Sequence, residues 1–194
     1  MIEGTVSILT VLALLGTGGV FGSWLNELRR ARREDKLRWH VERRGSYERF
    51  LTSIDNLREA ELDTAQHVST LRALTNWGND PLFDLEDLLR QADALDDSSA
   101  KYAVSKVRAQ QNAVADANDQ IAASLAAMEM LATPAVVQAG GVTRNMLFTL
   151  VTTAYEYPPR HCGGWSEPLV QASKGLSDAR TAFVSAVRKE LGVK

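Results

Sequence analysis

The residue pair with the clearest potential for chemistry is His161-Cys162, because a histidine near a thiol can turn it into a thiolate nucleophile. The two side chains are neighbours in the loop RHCGGW, however, and adjacent residues rarely reach the alignment that a nucleophile and its base require. Cys162 is the only cysteine, which excludes an intrachain disulfide and a cysteine metal cage. We therefore predict no catalytic residue, no cofactor and no enzymatic activity, and interpret the pair as part of a plain loop between helices.

Two acidic patterns have spacings that deserve comparison with metal sites. Asp63 and His67 lie four residues apart, on one face of a helix, but the paired Glu-x-x-His signatures of di-iron bundles are missing. An exposed ion pair is the preferred interpretation. A later acidic run lacks the glycine and terminal glutamate of a calcium loop, so we predict a solvated face and no metal site. The run comprises Asp84, Glu86, Asp87, Asp93, Asp96 and Asp97.

The most regular pattern is a heptad repeat between Ala100 and Met128, which predicts a helix with one packed seam. Gln111 and Asn118 are its two polar members. Polar groups at such positions specify helix register, face water at the edge of the seam, or line a small-molecule pocket in the core. The sequence leaves these alternatives open. The seam consists of Ala100, Val104, Val107, Gln111, Val114, Asn118, Ile121, Leu125 and Met128.

Helical periodicity dominates the elements that carry these candidates, and no stretch shows the strict alternation of a half-buried strand. The first helix is predicted to reach about Asn76, with an apolar stripe that Glu61 and Thr64 interrupt. Long helices joined by short turns predict an all-α fold, in which an N-terminal transmembrane helix continues into an antiparallel bundle of four or five helices. The stripe comprises Tyr47, Phe50, Ile54, Leu57, Val68 and Leu71.

Proline, glycine and capping residues predict where the helices begin and end. Asp80-Pro81, Thr133-Pro134 and Ser166-Glu167-Pro168 are predicted starts, since proline suits the first turn and Asp, Thr and Ser can cap it. Tyr157-Pro158-Pro159 is a predicted end, because the residue before a proline avoids helical geometry. Gly140-Gly141 is predicted to break or kink the helix that lies between.

Residues 5–25, TVSILTVLALLGTGGVFGSWL, form a run without charge that is long enough for a helix to cross the roughly 30 Å core of a bilayer. A cleaved signal peptide is the rival interpretation, but no basic segment precedes the run and no Ala-x-Ala type of cleavage site follows it. We therefore predict an uncleaved transmembrane anchor over residues 1–25. Gly18 and Gly22 make a GxxxG pattern, which predicts pairing of two membrane helices in a homodimer, unless the glycines only reflect their frequency in such helices.

A basic juxtamembrane stalk is predicted over residues 26–44, followed by a helical bundle domain over residues 45–194. Positively charged flanks stay in the cytoplasm, so we expect the N-terminus outside and the bundle domain at the inner face of the plasma membrane. The basic side chains can also contact anionic lipid headgroups, unless they serve only to fix the topology. They are Arg29, Arg30, Arg32, Arg33, Lys36, Arg38, Arg43 and Arg44.

The charge of the remaining chain argues against a nucleic-acid-binding protein. The whole chain has a net charge of -2, whereas the part after residue 44 carries 14 basic and 19 acidic side chains. A nucleic-acid-binding domain would normally show an excess of positive charge. The predicted partners are therefore an anionic bilayer, a second copy of the chain, or another protein.

Residues 36–57, KLRWHVERRGSYERFLTSIDNL, resemble a pattern of uncharacterised actinobacterial single-pass membrane-anchored helical proteins. Counting the anchor, the resemblance covers roughly a quarter of the chain, and its motif is moderately specific because any amphipathic helix after a membrane span favours these residue types. The resemblance implies no activity. The matching residues are Trp39, Arg43, Arg44, Tyr47, Phe50 and Leu51.

The preferred function is a non-enzymatic interaction or scaffold module at the inner face of the plasma membrane, because heptad seams occur here without a catalytic constellation. The alternative is a ligand-binding sensor bundle with a polar-lined pocket near Gln111 and Asn118 in the helical core. A dry, filled core would argue against the sensor. An enzyme would need His40, His67 or His161 to meet carboxylates or Cys162 in a cleft.

Overall fold

The computed structural model describes residues 3–75, 84–159 and 164–193, and in the first helix it describes the side chains of Arg30, Glu34 and every residue from Arg38 onwards. Over these described residues the structure has five elements, and each is an α-helix, which confirms the predicted all-α helical bundle. The chain divides into two compact units, residues 1–42 and residues 43–194. In chain order the helices are α1 (Glu3–Thr75), α2 (Leu85–Asp93), α3 (Ser98–Leu131), α4 (Pro134–Glu156) and α5 (Glu167–Leu191).

The first unit consists of the N-terminal part of α1. Within the part of the chain that the structure describes, no helix is both long enough and apolar enough to cross a membrane. The predicted span over residues 5–25 has side chains that lie outside the description. The anchor and the divisions at residues 25 and 44 therefore stay predictions.

The apolar stripe of α1 in the second unit is buried as predicted. All six of its residues, from Tyr47 to Leu71, are at most 5% exposed. The two polar residues that interrupt it are also accommodated by the bundle. Thr64 is buried and its hydroxyl donates to the Ala60 carbonyl oxygen at 2.8 Å, while half-buried Glu61 accepts a hydrogen bond from Tyr155. The stripe therefore tolerates this polar interruption, because each of the two polar side chains has a hydrogen-bond partner.

Two hydrophobic clusters lie along this part of α1. The larger packs α1 against α3, α4 and α5, and in it the ring of Phe183 lies edge-on to Tyr47 at 6.1 Å and tilted to Phe50 at 5.0 Å. The smaller packs the end of α1 against α2 and the first half of α3, around Leu71. Tyr155 of α4 contacts both clusters. The tyrosine thus joins the two parts of the core.

The helix boundaries predicted around α4 and α5 are confirmed. α4 begins at Pro134 and ends at Glu156, and α5 begins at Glu167 after Ser166. The start predicted at Asp80-Pro81 lies outside the described residues. Within them, α2 begins at Leu85, and the Asp84 carboxylate caps it by accepting from the Glu86 backbone N–H at 2.9 Å.

Of the break or kink predicted at Gly140-Gly141, the break is wrong, since α4 runs unbroken over both residues. Gly140 is buried and permits close packing against α3, because a Cβ there would lie 3.2 Å from Leu125 Cδ2 and 3.4 Å from Met128 Cε. Gly141 differs, because a Cβ there would meet nothing within 4 Å. Packing against neighbouring helices keeps α4 intact despite the weak helix propensity of glycine.

Candidate functional site

Several predicted site residues lie outside what the structure describes. Two of them are the glycines predicted to pair membrane helices, and four are basic residues of the stalk. The His161-Cys162 loop is the last of the set. Their roles stay predictions. They are Gly18, Gly22, Arg29, Arg32, Arg33 and Lys36, whose side chains are not described, and residues 160–163.

Three of the described stalk arginines form ion pairs one helical turn further along α1. Their Nε atoms lie 2.8 to 3.2 Å from a glutamate Oε1, and all six side chains are at least 49% exposed. Exposed pairs of this kind contribute little to stability, so the guanidinium groups stay available to another anion. The pairs are Arg30 with Glu34, Arg38 with Glu42 and Arg44 with Glu48.

Arg43, the remaining described arginine of the predicted lipid contacts, is bound inside the bundle instead. Its Nη1 lies 3.1 Å from Oε1 of Glu190, whose side chain is only 4% exposed in the last turn of α5. The same oxygen accepts from the Tyr47 hydroxyl at 2.9 Å. The other oxygen accepts from the backbone N–H and hydroxyl of Thr133, at 3.0 and 2.8 Å. These four residues, here the Glu190 cluster, connect α1, the turn before α4 and α5.

Burial and hydrogen bonding act in opposite directions on the Glu190 carboxylate. Burial favours the neutral acid, but the hydrogen bonds from Thr133 and Tyr47 and the charge of Arg43 outweigh it, so the pKa of Glu190 lies below its ordinary value. Burial, with the neighbouring carboxylate, raises the pKa of Tyr47. At neutral pH the acid is thus ionised and the phenol protonated. At neutral pH the Glu190 cluster therefore connects these elements, and neither its carboxylate nor its phenol titrates.

Glu61 is a second carboxylate held by a tyrosine. Its Oε2 accepts from the Tyr155 hydroxyl at 2.9 Å, and Arg72 Nη1 donates to the Tyr155 carbonyl oxygen at 3.2 Å. Burial raises the pKa of Glu61, and the bond from Tyr155 offsets only part of this effect. Burial and the charge of Glu61 in turn raise the pKa of Tyr155. Glu61 therefore titrates closer to neutral pH than an ordinary glutamate does.

Asp63 and His67 meet as predicted, with 3.5 Å between His67 Nε2 and Asp63 Oδ1. The predicted exposure is wrong for the histidine, whose side chain is 13% exposed and whose ring lies 5.9 Å from the Tyr102 ring. His67 and Tyr102 help line an open cavity of about 320 Å³, together with Thr70, Ser98, Ser99 and Ala103. Among the described residues, no group of three His, Cys, Asp or Glu side chains is placed to hold a metal ion.

The two polar seam residues take the water-facing alternative. Asn118 is exposed, and the amide of half-buried Gln111 donates to Glu86 Oε1 at 3.3 Å. The buried side of α3 shifts instead to Ala117 and Ser124, because the start of α3 packs in the smaller cluster and its second half packs in the larger one. Asn118 therefore contributes no buried polar group to the core pocket that the sensor alternative places near these two residues.

The acidic run is divided between helix caps and ion pairs. Asp84 and Asp97 cap α2 and α3. The three carboxylates of Asp87, Asp93 and Asp96 lie 2.7 to 2.9 Å from a cation, and none of these side chains is less than 41% exposed. This arrangement confirms the predicted solvated face. The cations are Arg90, Arg108 and Lys101, respectively.

The exposed side of α4 has an unusual composition. Between Pro134 and Tyr155, Arg144 is the only charged residue, and because a helix turns about 100° per residue it lies at the edge of the exposed band. Within the band, on either side of Asn145, Phe148 is 69% exposed and Val142 is 44% exposed. We call this surface the α4 outer face. It comprises exposed Gln138, Val142, Asn145, Phe148, Thr149 and Thr152, with half-buried Gly141 among them.

The threonines of the α4 outer face are less polar towards solvent than their type suggests. The Thr149 hydroxyl donates to the Asn145 carbonyl oxygen at 3.1 Å. The Thr152 hydroxyl donates to the Phe148 and Thr149 carbonyl oxygens, at 3.1 and 3.0 Å. Hydroxyls bound to their own helix compete less for water, so the methyl groups add to the apolar surface around Phe148.

Sequence reasoning missed both the Glu190 cluster and the α4 outer face. The contacts of Glu190 span 57 and 143 residues, and no local pattern indicates them. The α4 outer face did leave a signal, the near absence of charge between Pro134 and Tyr155, which periodicity alone does not use. Comparison of the chain with family models, with curated proteins and with solved structures gives no match.

Proposed function

We propose that the chain is a non-enzymatic interaction module at the inner face of the plasma membrane, and that its bundle binds another protein chain through the α4 outer face. The observation that carries this proposal is the composition of that face. Phe148 is 69% exposed, and among the exposed residues of α4 from Pro134 to Thr152 only Arg144, one helical turn before Phe148, is charged. Exposed apolar surface with little charge is typical of the centre of a protein interface.

The exposed surface of α3 is charged, and this contrast supports the α4 outer face as the interface. Charged residues are depleted at the core of protein interfaces, because desolvating them without a partner is costly. The outer side of α3 carries charges along its whole length, which suits contact with water. These exposed residues are Lys101, Arg108, Asp116, Asp119 and Glu129.

A crosslinking experiment tests the proposal directly. A photoreactive amino acid placed at Phe148 of the full chain in its native membranes should crosslink to protein, because the α4 outer face is covered by a partner. Met130 is 76% exposed and serves as the matched control, where crosslinking should be weak. Equal or absent crosslinking at both positions would contradict the proposal.

The membrane location is supported by the uncharged run over residues 5–25 and the arginines that follow it. A cysteine at the exposed position Met130, in a chain carrying Cys162→Ser, tests the topology. A membrane-impermeant thiol reagent should label it after lysis and leave it unlabelled in intact cells. A cysteine at Glu3 is the control and should be labelled in intact cells. The reverse pattern would overturn the topology.

The stalk supports a contact with anionic lipid. Each juxtamembrane arginine gains about 1 kcal/mol near an anionic surface, and salt screens this attraction. Arg43 is left out because Glu190 already binds it. Binding of a chain lacking residues 1–25 to anionic vesicles should therefore weaken steeply with salt. Equal binding to neutral vesicles would contradict a lipid contact.

A further inference from the structure

A cavity of about 200 Å³ lies between α1 and α5, and we call it the α1–α5 cavity. Four of its lining side chains can donate hydrogen bonds, namely Arg58 of α1 and Ser173, Ser177 and Arg180 of α5. The three α5 residues lie four and three positions apart, which places them on one face of the helix. Asp55 of α1 is the acidic residue of the lining. The lining therefore has two positive charges and one negative charge.

Arg58 is an exception among the half-buried arginines of the described residues. Arg43 and Arg180 each bind a carboxylate, and Arg72 donates to the Tyr155 carbonyl oxygen. The Arg58 guanidinium forms no hydrogen bond or ion pair with any described residue. Burial removes part of the water around a polar group, so a half-buried guanidinium requires another partner. All five N–H donors of Arg58 are available to a molecule that enters the α1–α5 cavity.

The two serine hydroxyls of the lining also have no partner among the described residues. A hydroxyl in a helix often donates to the carbonyl oxygen one turn earlier. In α5, Thr181 does so, since its hydroxyl donates to the Ser177 carbonyl oxygen at 2.9 Å. The hydroxyls of Ser173 and Ser177 can therefore donate to a ligand without giving up a bond within the described part of α5.

Asp55 holds Arg180 in place at the side of the cavity. The distance between Arg180 Nη1 and Asp55 Oδ1 is 2.6 Å, and this contact leaves most of the guanidinium donors free. Three further charged residues are close in sequence, but they are exposed and do not line the cavity. They are Glu59, Lys174 and Asp178. An entering anion would thus meet the excess positive charge of the lining.

We infer that the α1–α5 cavity binds a terminal phosphate group, which Arg58, Arg180, Ser173 and Ser177 hold by its oxygens. Such a group has three acceptor oxygens and a charge of about −1.5 to −2, so it can accept from all four side chains. A carboxylate has only two oxygens, and a neutral ligand would leave the excess positive charge unmatched. Planar guanidinium groups are well suited to phosphate, because they can donate two parallel hydrogen bonds.

The size of the cavity limits the ligand to a small one. Pockets for drug-sized molecules begin at roughly 300 Å³, which exceeds the volume of about 200 Å³ found here. Inorganic phosphate, a small phosphate monoester and a lipid headgroup that ends in phosphate share the required chemistry. The inference goes beyond the proposed function, since the α4 outer face has no part in the cavity.

Calorimetric titration of inorganic phosphate into the full chain, held in discs of neutral lipid at constant ionic strength, tests the inference. We expect saturable binding that chloride does not prevent and that acetate opposes only weakly. Arg58→Gln should weaken binding roughly tenfold or more, because it removes charge-assisted hydrogen bonds. Arg188→Gln, an exposed position on the same helix α5, is the matched control and should bind as the wild type does.

Arg58 has no described partner, so Arg58→Gln should keep its fold, as circular dichroism can show. If it unfolds, Arg58→Lys replaces it, and its single ammonium should weaken binding several-fold. Asp55→Asn should change the affinity in the opposite direction. It removes the negative charge beside Arg180, so phosphate should bind several-fold more tightly. Weaker binding to Asp55→Asn would overturn the position of the phosphate beside Arg180.

The lipid composition of the discs identifies the source of the phosphate. Phosphatidic acid ends in a phosphate monoester, whereas phosphatidylglycerol supplies negative charge without one. Loss of inorganic phosphate binding in the first discs alone would support the inference with a headgroup as the ligand, and equal binding in both would support it with a soluble ligand. Absence of saturable binding in neutral discs, or equal affinity of Arg58→Gln and Arg188→Gln, would overturn the inference. Acetate that competes as well as phosphate would overturn the choice of phosphate.

Discussion

Glu190 and Glu61 each accept a hydrogen bond from a tyrosine hydroxyl at 2.9 Å, yet their pKa values shift in opposite directions. The Glu190 side chain is only 4% exposed, and burial by itself would raise its pKa. The hydrogen-bond donors of Glu190 reverse the direction of the pKa shift, because Thr133 supplies two hydrogen bonds and Arg43 adds a positive charge. Glu61 has Tyr155 as its described donor, and burial prevails.

The difference shows that the surroundings of a buried carboxylate decide its effect on stability. An ionised group with four donors stabilises the elements that supply them, whereas an ionised group with one donor is tolerated at a cost. The Glu190 cluster should therefore hold the bundle together, and the Glu61–Tyr155 pair should be a weak point. Both statements can be tested by substitution.

Glu190→Ala should have the largest effect. It leaves Tyr47, Arg43 and Thr133 without their acceptor, and removal of one partner from a buried ion pair costs about 3–5 kcal/mol in the free energy of unfolding. Urea denaturation of the full chain in mild detergent measures the change. Lys189→Ala, an exposed neighbour, is the control and should change the stability by less than about 0.5 kcal/mol. A similar loss in both variants would refute the role of the Glu190 cluster.

Tyr155→Phe should have the second-largest effect. The free energy of unfolding should fall by about 1.5–3 kcal/mol, which is the usual cost of losing a hydrogen bond to a charged group. The half-buried Glu61 carboxylate then has no described donor. Its pKa should rise further, so the loss should shrink at pH 4, where the acid is protonated in both variants. Denaturation at pH 7 and pH 4 measures this. A loss that does not depend on pH would attribute the effect to packing between the two core clusters.

Tyr47→Phe should cost less than Tyr155→Phe, about 1 kcal/mol, although both remove one hydroxyl. The reason is that Glu190 keeps Thr133 and Arg43 as partners. The phenylalanine also preserves the edge contact with Phe183. Comparison of the two denaturation midpoints provides the test. A larger loss in Tyr47→Phe would show that the number of donors does not determine the cost.

Much of the fold could be predicted from local sequence. The three-four spacing of the α1 stripe, Pro134, and Pro158 with Pro159 correctly indicated a buried face and the two ends of α4, since these signals act within a few residues. Gly140 misled the prediction. Its local propensity favours a break, but tertiary packing against Leu125 and Met128 decides the outcome.

The contacts that matter for the site were less accessible to sequence reasoning. Arg43 has the same residue type and local context as the other stalk arginines, and only the folding of α5 against α1 brings Glu190 to it. Asn118 fits the heptad repeat, but it is exposed because the second half of α3 packs against other helices than the first half does. Side-chain partners distant in sequence, and the side of a helix that its neighbours cover, cannot be deduced from one segment at a time.

Glu61→Gln should change the free energy of unfolding least, and it should increase it, unlike the other substitutions. Glutamine still accepts from the Tyr155 hydroxyl, but it carries no charge that burial would penalise, so at pH 7 the variant should gain up to about 1 kcal/mol in stability. Because folding raises the pKa of Glu61, the folded state binds the proton more tightly, and this group favours folding more as the pH falls. The gain of Glu61→Gln should therefore vanish below the ordinary glutamate pKa of about 4.3.

Glu190→Gln provides the matched control, because folding lowers the pKa of Glu190. The stability that its charge contributes is present above the ordinary pKa and is lost as the pH falls through the folded value. The wild type should thus exceed Glu190→Gln at pH 7 and approach it in acid, while Glu61→Gln exceeds the wild type at pH 7 and also approaches it in acid. Urea midpoints of the three proteins between pH 7 and pH 3.5 measure both trends. If the two differences from wild type had the same sign at pH 7, the contrast between the carboxylates would be wrong, because one charge stabilises the fold and the other opposes it.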